Sequence, residues 1–259
     1  VIKAPLGVID LDFGQMSVDS VKFMNKPIRF EQVNGKLNVH LPKPMNKDEV
    51  FTIEVSYHGR PADGLILMAD KAGNPPATGN NWPDRAHHWI PCLDHPAAKA
   101  TVNFTVTAPA RDTMVANGRF VATRNNADAT RTWTYTESKP IPAYCMIIAV
   151  DEYAQSQPAT NTVPPLSYYV SLTDKDTAVR VFNSAPPALQ FLSEKVAPFP
   201  YEKLALIVGA TRFGGMENSS AIVSSGNLFT TPVDTEPLSR RLDVKQEPMV
   251  KARSAGGIQ

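Results

Sequence analysis

The run Arg212-Phe213-Gly214-Gly215-Met216-Glu217-Asn218 sets two residues with bare backbone just ahead of a carboxylate and a carboxamide. Taken alone, Gly-Gly beside a polar pair is most often a turn or a strand bulge. The chemical reading is different. Glycines let an extended peptide lie against the chain by strand addition, and Glu217 then offers a carboxylate to the ammonium of a peptide N-terminus in a charge-assisted hydrogen bond. Spacing this short leaves both readings open.

A second group of candidates is His87, His88 and His95, within His87-His88-Trp89-Ile90-Pro91-Cys92-Leu93-Asp94-His95-Pro96. Three neighbouring histidines invite a metal reading. Adjacent His87 and His88 on a strand would point to opposite faces, however, and no third ligand stands at a recognised spacing. A surface or packing role is the expectation for all three. Cys92 and Cys145 are too few for a disulfide framework and lack zinc-finger partners, so they read as free thiols and leave the compartment open.

Positioning these residues falls to strands and then to helices. Val8–Phe13, Lys36–Leu41, Val50–Tyr57 and Thr101–Val106 alternate apolar and polar residues, the pattern of strands with one face on a core. Asn34-Gly35, Asn117-Gly118 and Asn125-Asn126 are hairpin signals, because Asn and Gly tolerate positive φ. The 23 prolines fall mostly in connections. Near Thr173 the character changes. Asp174 to Phe182 reads as a helix, and a second begins with Ser184 as N-cap and Pro186 and Pro187 in its first turn, lining Leu189, Leu192 and Val196 on one face until Pro198 and Pro200 stop it. Leu204–Val208 follows as a buried strand.

Composition bounds the function. Hydrophobic residues make up 42% and charged residues 20% of 259 positions, and the formal charge is +1, so neither nucleic acid nor an anionic membrane is an expected partner. The apolar run Tyr144–Val150 is far shorter than the about 20 residues of a spanning helix.

Three ordered blocks carry a resemblance. Trp82-Pro83-Asp84-Arg85 with Trp89-Ile90-Pro91-Cys92-Leu93-Asp94-His95-Pro96 and Lys99-Ala100-Thr101, then Pro198-Phe199-Pro200-Tyr201-Glu202-Lys203-Leu204, then Gly214 to Asn218, are together similar to the aminopeptidase N-type zinc metallopeptidases, a family that includes the leukotriene hydrolases. The resemblance runs to about Arg241. It implies a mainly β fold: a saddle-like antiparallel β domain over residues 1–172, incomplete at its start, and the beginning of an α+β, thermolysin-like catalytic domain over 173–241. It also implies that Glu217 binds the free α-amine of a peptide substrate, that Gly214 and Gly215 hydrogen-bond its backbone, and that Met216 and Asn218 shape the strand. A polar side chain from the β domain joins the amine pocket, with Asn80 or Asn81 as the nearest match.

The family's Zn2+ is held by a His-Glu-x-x-His helix and a further glutamate, and activates water for hydrolysis. The histidines here are His40, His58, His87, His88 and His95. With none beyond His95, the expectation is a chain without the zinc motif and without catalytic residues or metal of its own. Residues 242–259 depart from the family and read as a polar, disordered tail. Two functions follow: part of a zinc aminopeptidase that removes N-terminal residues from peptides, or a non-catalytic form that still binds peptide N-termini. An unrelated β-rich structural protein is the third reading, and it requires all three blocks to be coincidence.

Overall fold

A computed structural model describes residues 5–68 and 76–229. The boundary at 241 and the tail 242–259 lie outside the described residues. In chain order the strands are β1 (Leu6–Asp12), β2 (Ser17–Phe23), β3 (Lys26–Pro27), β4 (Phe30–Val33), β5 (Lys36–Met45), β6 (Ile53–His58), β7 (Leu65–Leu67), β8 (Ala77–Gly79), β9 (Lys99–Pro109), β10 (Thr113–Ala116), β11 (Arg119–Asn125), β12 (Thr130–Pro142), β13 (Ile148–Asp151), β14 (Tyr153–Ser156) and β15 (Leu166–Ser171). Helices α1 (Lys175–Val181) and α2 (Ala185–Lys195) come next, then β16 (Leu204–Val208), β17 (Gly215–Met216) and β18 (Ala221–Ser224). The fold is mainly β, and among the described residues no sheet closes on itself.

Alternation puts one face of each strand inward. Sheets β1-β5-β4 and β3-β2-β6 enclose Phe13, Val21, Leu37 and Val39. The sheet β11-β12-β9 packs Phe104, Trp133 and Tyr135 on Met114, Ile148 and Val150 of the sheet β10-β13-β8-β7. The fifth sheet, β14-β15-β16-β18-β17, is mixed: β15, β16 and β18 run parallel, while β14 and β17 lie antiparallel at its edges. A parallel neighbour requires a crossover, and α1 with α2 supplies the one from β15 to β16. One face of this sheet (Tyr168, Val170, Leu204, Leu206) meets Ala178, Phe182 and Leu189 of the helical segment. The other (Tyr169, Ala205, Ile207, Ala221, Val223) meets Val115 of β10, Ala149 of β13 and Ile147 just ahead of β13. The mixed sheet therefore straddles residue 172, where the sequence pattern turns helical.

The turn signals divide. Asn34 (φ 52°) and Gly35 (φ 73°) form the tight connection of the β4–β5 hairpin, and Asn125-Asn126 opens the connection from β11 to β12. Asn117-Gly118 is not a hairpin: β10 and β11 on either side of it belong to different sheets. The strand expected from Val50 starts at Ile53, with Val50 exposed. Ser184 precedes α2 but makes no capping bond, because α1 runs almost directly into α2 and leaves Ser184 in helical conformation. Of the expected apolar face of α2, Leu189 is buried, while Leu192 and Val196 stay 55% and 79% exposed; only one turn of the helix reaches the sheet.

Candidate functional site

The glycine-rich run becomes an edge. β17 pairs only with β18, through Gly215 opposite Ser224 and Met216 opposite Val223, and its outer side has no strand partner among the described residues. Met216 is buried and fastens the strand, while Gly214 and Gly215 are exposed. The Gly214 carbonyl accepts the Ser225 N–H at 3.0 Å, and a side chain at Gly214 would meet open space. At Gly215 a Cβ would press to 3.3 Å from the Val223 carbonyl oxygen, so the close approach of the two strands suits glycine there. Glu217 follows with its side chain exposed, and no hydrogen bond or ion pair holds its carboxylate among the described residues. The nearby Tyr144 phenol is held above its usual pKa first by its interactions with Cys145, then by burial and the negative charge of Glu217. Asn218 is buried, with Nδ2 donating to the Met216 carbonyl at 3.3 Å and Oδ1 lacking a partner among the described residues.

Residues of the β domain reach this edge. Asn80 is buried and donates from Nδ2 to Thr211 Oγ1 at 2.9 Å, while its Oδ1 has no partner among the described residues. Trp82 and Phe213 meet edge to face, ring centres 5.4 Å apart, both partly exposed. Arg212 pairs with Asp63 at 2.7 Å, and Asp63 also holds Arg85 at 3.3 Å. Loop 80–82 and segment 211–213 are thus bound together beside Gly214. Asn81 is buried too but fully committed: Oδ1 accepts the Trp89 indole N–H at 2.8 Å, and Nδ2 donates to the Met146 and Ala143 carbonyls. Between these neighbours, Asn80 alone keeps a free acceptor.

Behind the edge, the turn Asn218–Ala221 closes with the Ala221 N–H on the Asn218 carbonyl, and Ser220 takes φ 59°. Sequence reasoning missed what grips it. Asn117 Nδ2 donates to Ser219 O at 2.6 Å and to Cys145 O at 2.8 Å, and its Oδ1 accepts Ile147 N–H. Ser220 Oγ accepts Gly118 N–H at 2.7 Å and donates to Glu137 Oε2 at 2.9 Å. Tyr201 OH donates to Ser219 Oγ, and Lys203 Nζ to Ser220 O, each at 3.0 Å. One signal was present: Glu137 shares strand parity with Trp133 and Tyr135, so it faces the core.

Burial raises the Glu137 carboxyl above its usual range, countered by the bonds from Lys139 N–H and Ser220. Desolvation lowers the Lys203 ammonium from 10.5 to about 7, against the pull of Glu137 and Glu202. Between pH 7 and 10.5 the folded chain then leaves Lys203 neutral while the unfolded chain keeps it protonated. Stability should therefore rise with pH across that window, with a contribution of up to about 1.4 kcal/mol per pH unit. Urea denaturation at pH 7, 8 and 9 checks this. The wild-type slope should exceed that of Lys203→Met, and equal slopes would refute it.

Among the described residues, no three His, Cys, Asp or Glu side chains gather to hold a metal ion. His87 and His88 lie in a 3-10 turn, not a strand, and their rings sit 4.3 Å apart. His87 is tied to Asp94 at 2.8 Å, and desolvation lowers the pKa of His88. The residues described here do not fit a zinc site. A surface depression of about 470 Å3 between Thr160–Val163 and α2 shares no residue with β17. No helix among the described residues is long and apolar enough to cross a membrane.

Residues 4–145 match the family model of the Peptidase M1 N-terminal domain. The chain is 25% identical over 221 residues to "Probable aminopeptidase 1" of Saccharolobus solfataricus, covering 83% of this chain and 27% of that protein. It is 24% identical over 238 residues to "Leucine aminopeptidase 2" of Vanderwaltozyma polyspora, covering 85% and 35%. It thus spans about a quarter to a third of these relatives. In fold it resembles the M1 zinc metallopeptidase of Deinococcus radiodurans, with TM-score 0.71 and 24% identity over 84% of this chain and 52% of that one. A mutant of that enzyme bound to a Tyr-Ser-Ala substrate gives TM-score 0.67 at 22% identity, covering 86% and 54%.

Proposed function

The chain belongs to the family of Peptidase M1 N-terminal domains, and from that premise we propose that it is part of a zinc-dependent aminopeptidase, contributing the strand that receives a peptide's free N-terminus. The observation that carries this is the edge strand β17, whose outer side and whose terminal carboxylate have no partner among the described residues. A peptide laid along Gly214 and Gly215 adds a strand to the mixed sheet and brings its ammonium to Glu217, with the buried amide oxygen of Asn80, unpartnered among the described residues, on the β-domain side of the pocket. Met216 and Asn218 hold the strand from within. Asn81 serves the same site indirectly, by fixing loop 80–82.

In the whole enzyme a zinc ion would activate the water for hydrolysis, and none of the residues described here would hold it. This chain's own residues bind and orient the peptide, and by itself the chain is inactive. The division into a β-saddle domain and the start of a thermolysin-like domain belongs to the same proposal. The pairing of β14 and β15 with later strands supports drawing the boundary near residue 152, ahead of the 172 suggested by sequence pattern. A second reading, a non-catalytic binder of peptide N-termini, is favoured by the turn behind β17, which Asn117, Gly118, Tyr201 and Lys203 hold by hydrogen bonds.

Calorimetry with a short peptide and its N-acetylated twin tests the proposal. The free amine should bind about 10- to 100-fold more tightly, the range of a hydrogen bond to a charged group, and Glu217→Gln should erase the difference. Equal binding of both peptides by the wild-type chain would sink it. Zinc-dependent release of amino acids by this chain would overturn the assignment of inactivity.

A further inference from the structure

We propose that Ser220 is a positioning residue for Glu217: its hydroxyl, clamped between Gly118 and Glu137, fixes the turn that aims the carboxylate at a bound amine. This rests on the reading of Glu217 as the amine anchor and deepens it. Glu217 sits at the junction of two fastenings. On one side is the last ladder pair of the edge strand, Met216 with Val223. On the other is the turn Asn218–Ala221. Its own carboxylate has no partner among the described residues to orient it, so its direction is set by the backbone on either side.

The ladder is only two residues long, and most of that control comes from the turn. At Ser220 the backbone has φ 59°, a conformation in which glycine or asparagine is the usual choice. Serine stands there with its hydroxyl both accepting from Gly118 N–H and donating to Glu137 Oε2. A turn needing only to reverse the chain would be served by glycine. The hydroxyl ties it instead to two β-domain segments, 83 and 102 residues away in sequence. Asn117 reinforces the same link by bridging Ser219 O to Cys145 O, next to Tyr144. The carboxylate is thereby referenced to the β domain that also supplies Asn80.

The test compares Ser220→Gly and Ser220→Ala. Both remove the hydroxyl, but glycine accepts the positive φ and alanine does not, so their stabilities should differ while the lost hydrogen bonds are the same. The readout is the ratio of affinities for a free-amine peptide and its N-acetylated twin, alongside thermal midpoints. The ratio should fall by about five- to tenfold in both variants, equally despite their different midpoints, with binding of the acetylated peptide unchanged. A purely structural role would weaken both peptides together, in step with stability. Wild-type discrimination that survives in both variants overturns this inference alone. Absence of discrimination in the wild-type chain overturns it together with the reading of Glu217.

Discussion

Gly118→Ala is expected to destabilise the chain by about 3–5 kcal/mol, among the largest effects of any single methyl group added to it. Two costs combine. Gly118 has φ 75°, where an L side chain is strained. A Cβ there would also lie 2.1 Å from Thr136 O, 2.3 Å from Thr136 C and 2.4 Å from Glu137 N. All three are backbone atoms of β12, the middle strand of its sheet, paired on both sides by β9 and β11. That backbone cannot yield without breaking a ladder. Glycines elsewhere provide the scale. Gly35→Ala has the same sign of φ but open space, and should cost about 1 kcal/mol; Gly7→Ala meets nothing within 4 Å and should stay within about 0.5 kcal/mol of wild type. Urea denaturation of the three variants gives the ranking. A Gly118→Ala midpoint near that of Gly7→Ala would show that the turn can relax.

The second large effect separates two adjacent asparagines. Asn81→Ala should cost about 3–4 kcal/mol, since it leaves the Trp89 indole N–H and the Met146 carbonyl without their partner in a buried site. Among the described residues, Asn80→Ala removes one side-chain hydrogen bond, to Thr211, and an oxygen without a partner, so its cost should be about 1 kcal/mol. The order should reverse for binding: Asn80→Ala weakens capture of a free-amine peptide, whereas Asn81→Ala acts through folding. Denaturation midpoints paired with calorimetry measure both. Equal stability losses at the two positions would contradict the asymmetry.

That asymmetry marks where sequence reading stops. Asn80 and Asn81 are the same residue type, one position apart and both buried; which one keeps a free acceptor depends on Trp89, Met146 and Thr211, and no local pattern encodes those contacts. Local patterns did carry the strands, because alternation is a property of each strand alone, and the Asn34-Gly35 hairpin, because its turn chemistry is complete in two residues. Asn117-Gly118 has equally strong turn chemistry, yet the chain passes there from one sheet to another. The motif Gly214–Asn218 was legible as a string. Its place at a sheet edge was not, since that depends on β18 pairing with it and with β16. Leu192 and Val196 kept helical spacing, but a sheet offers α2 room for only one turn. His87 and His88 would have faced opposite ways on a strand, but they lie in a 3-10 turn that brings their rings together.

The hydrogen bonds that assemble the candidate site span the chain: 149 residues between Asp63 and Arg212, 131 between Asn80 and Thr211, 102 between Asn117 and Ser219. Closing loops of that length costs conformational entropy before the contacts can repay it, and topologies dominated by such pairings fold slowly, on millisecond-to-second scales. Hairpins such as β4–β5 can form early and alone. The edge at β17 cannot, because its anchors come from both halves of the chain. Amine capture would therefore be the last property to appear during refolding and the first to vanish on partial unfolding, which makes it a clock for the completion of the fold.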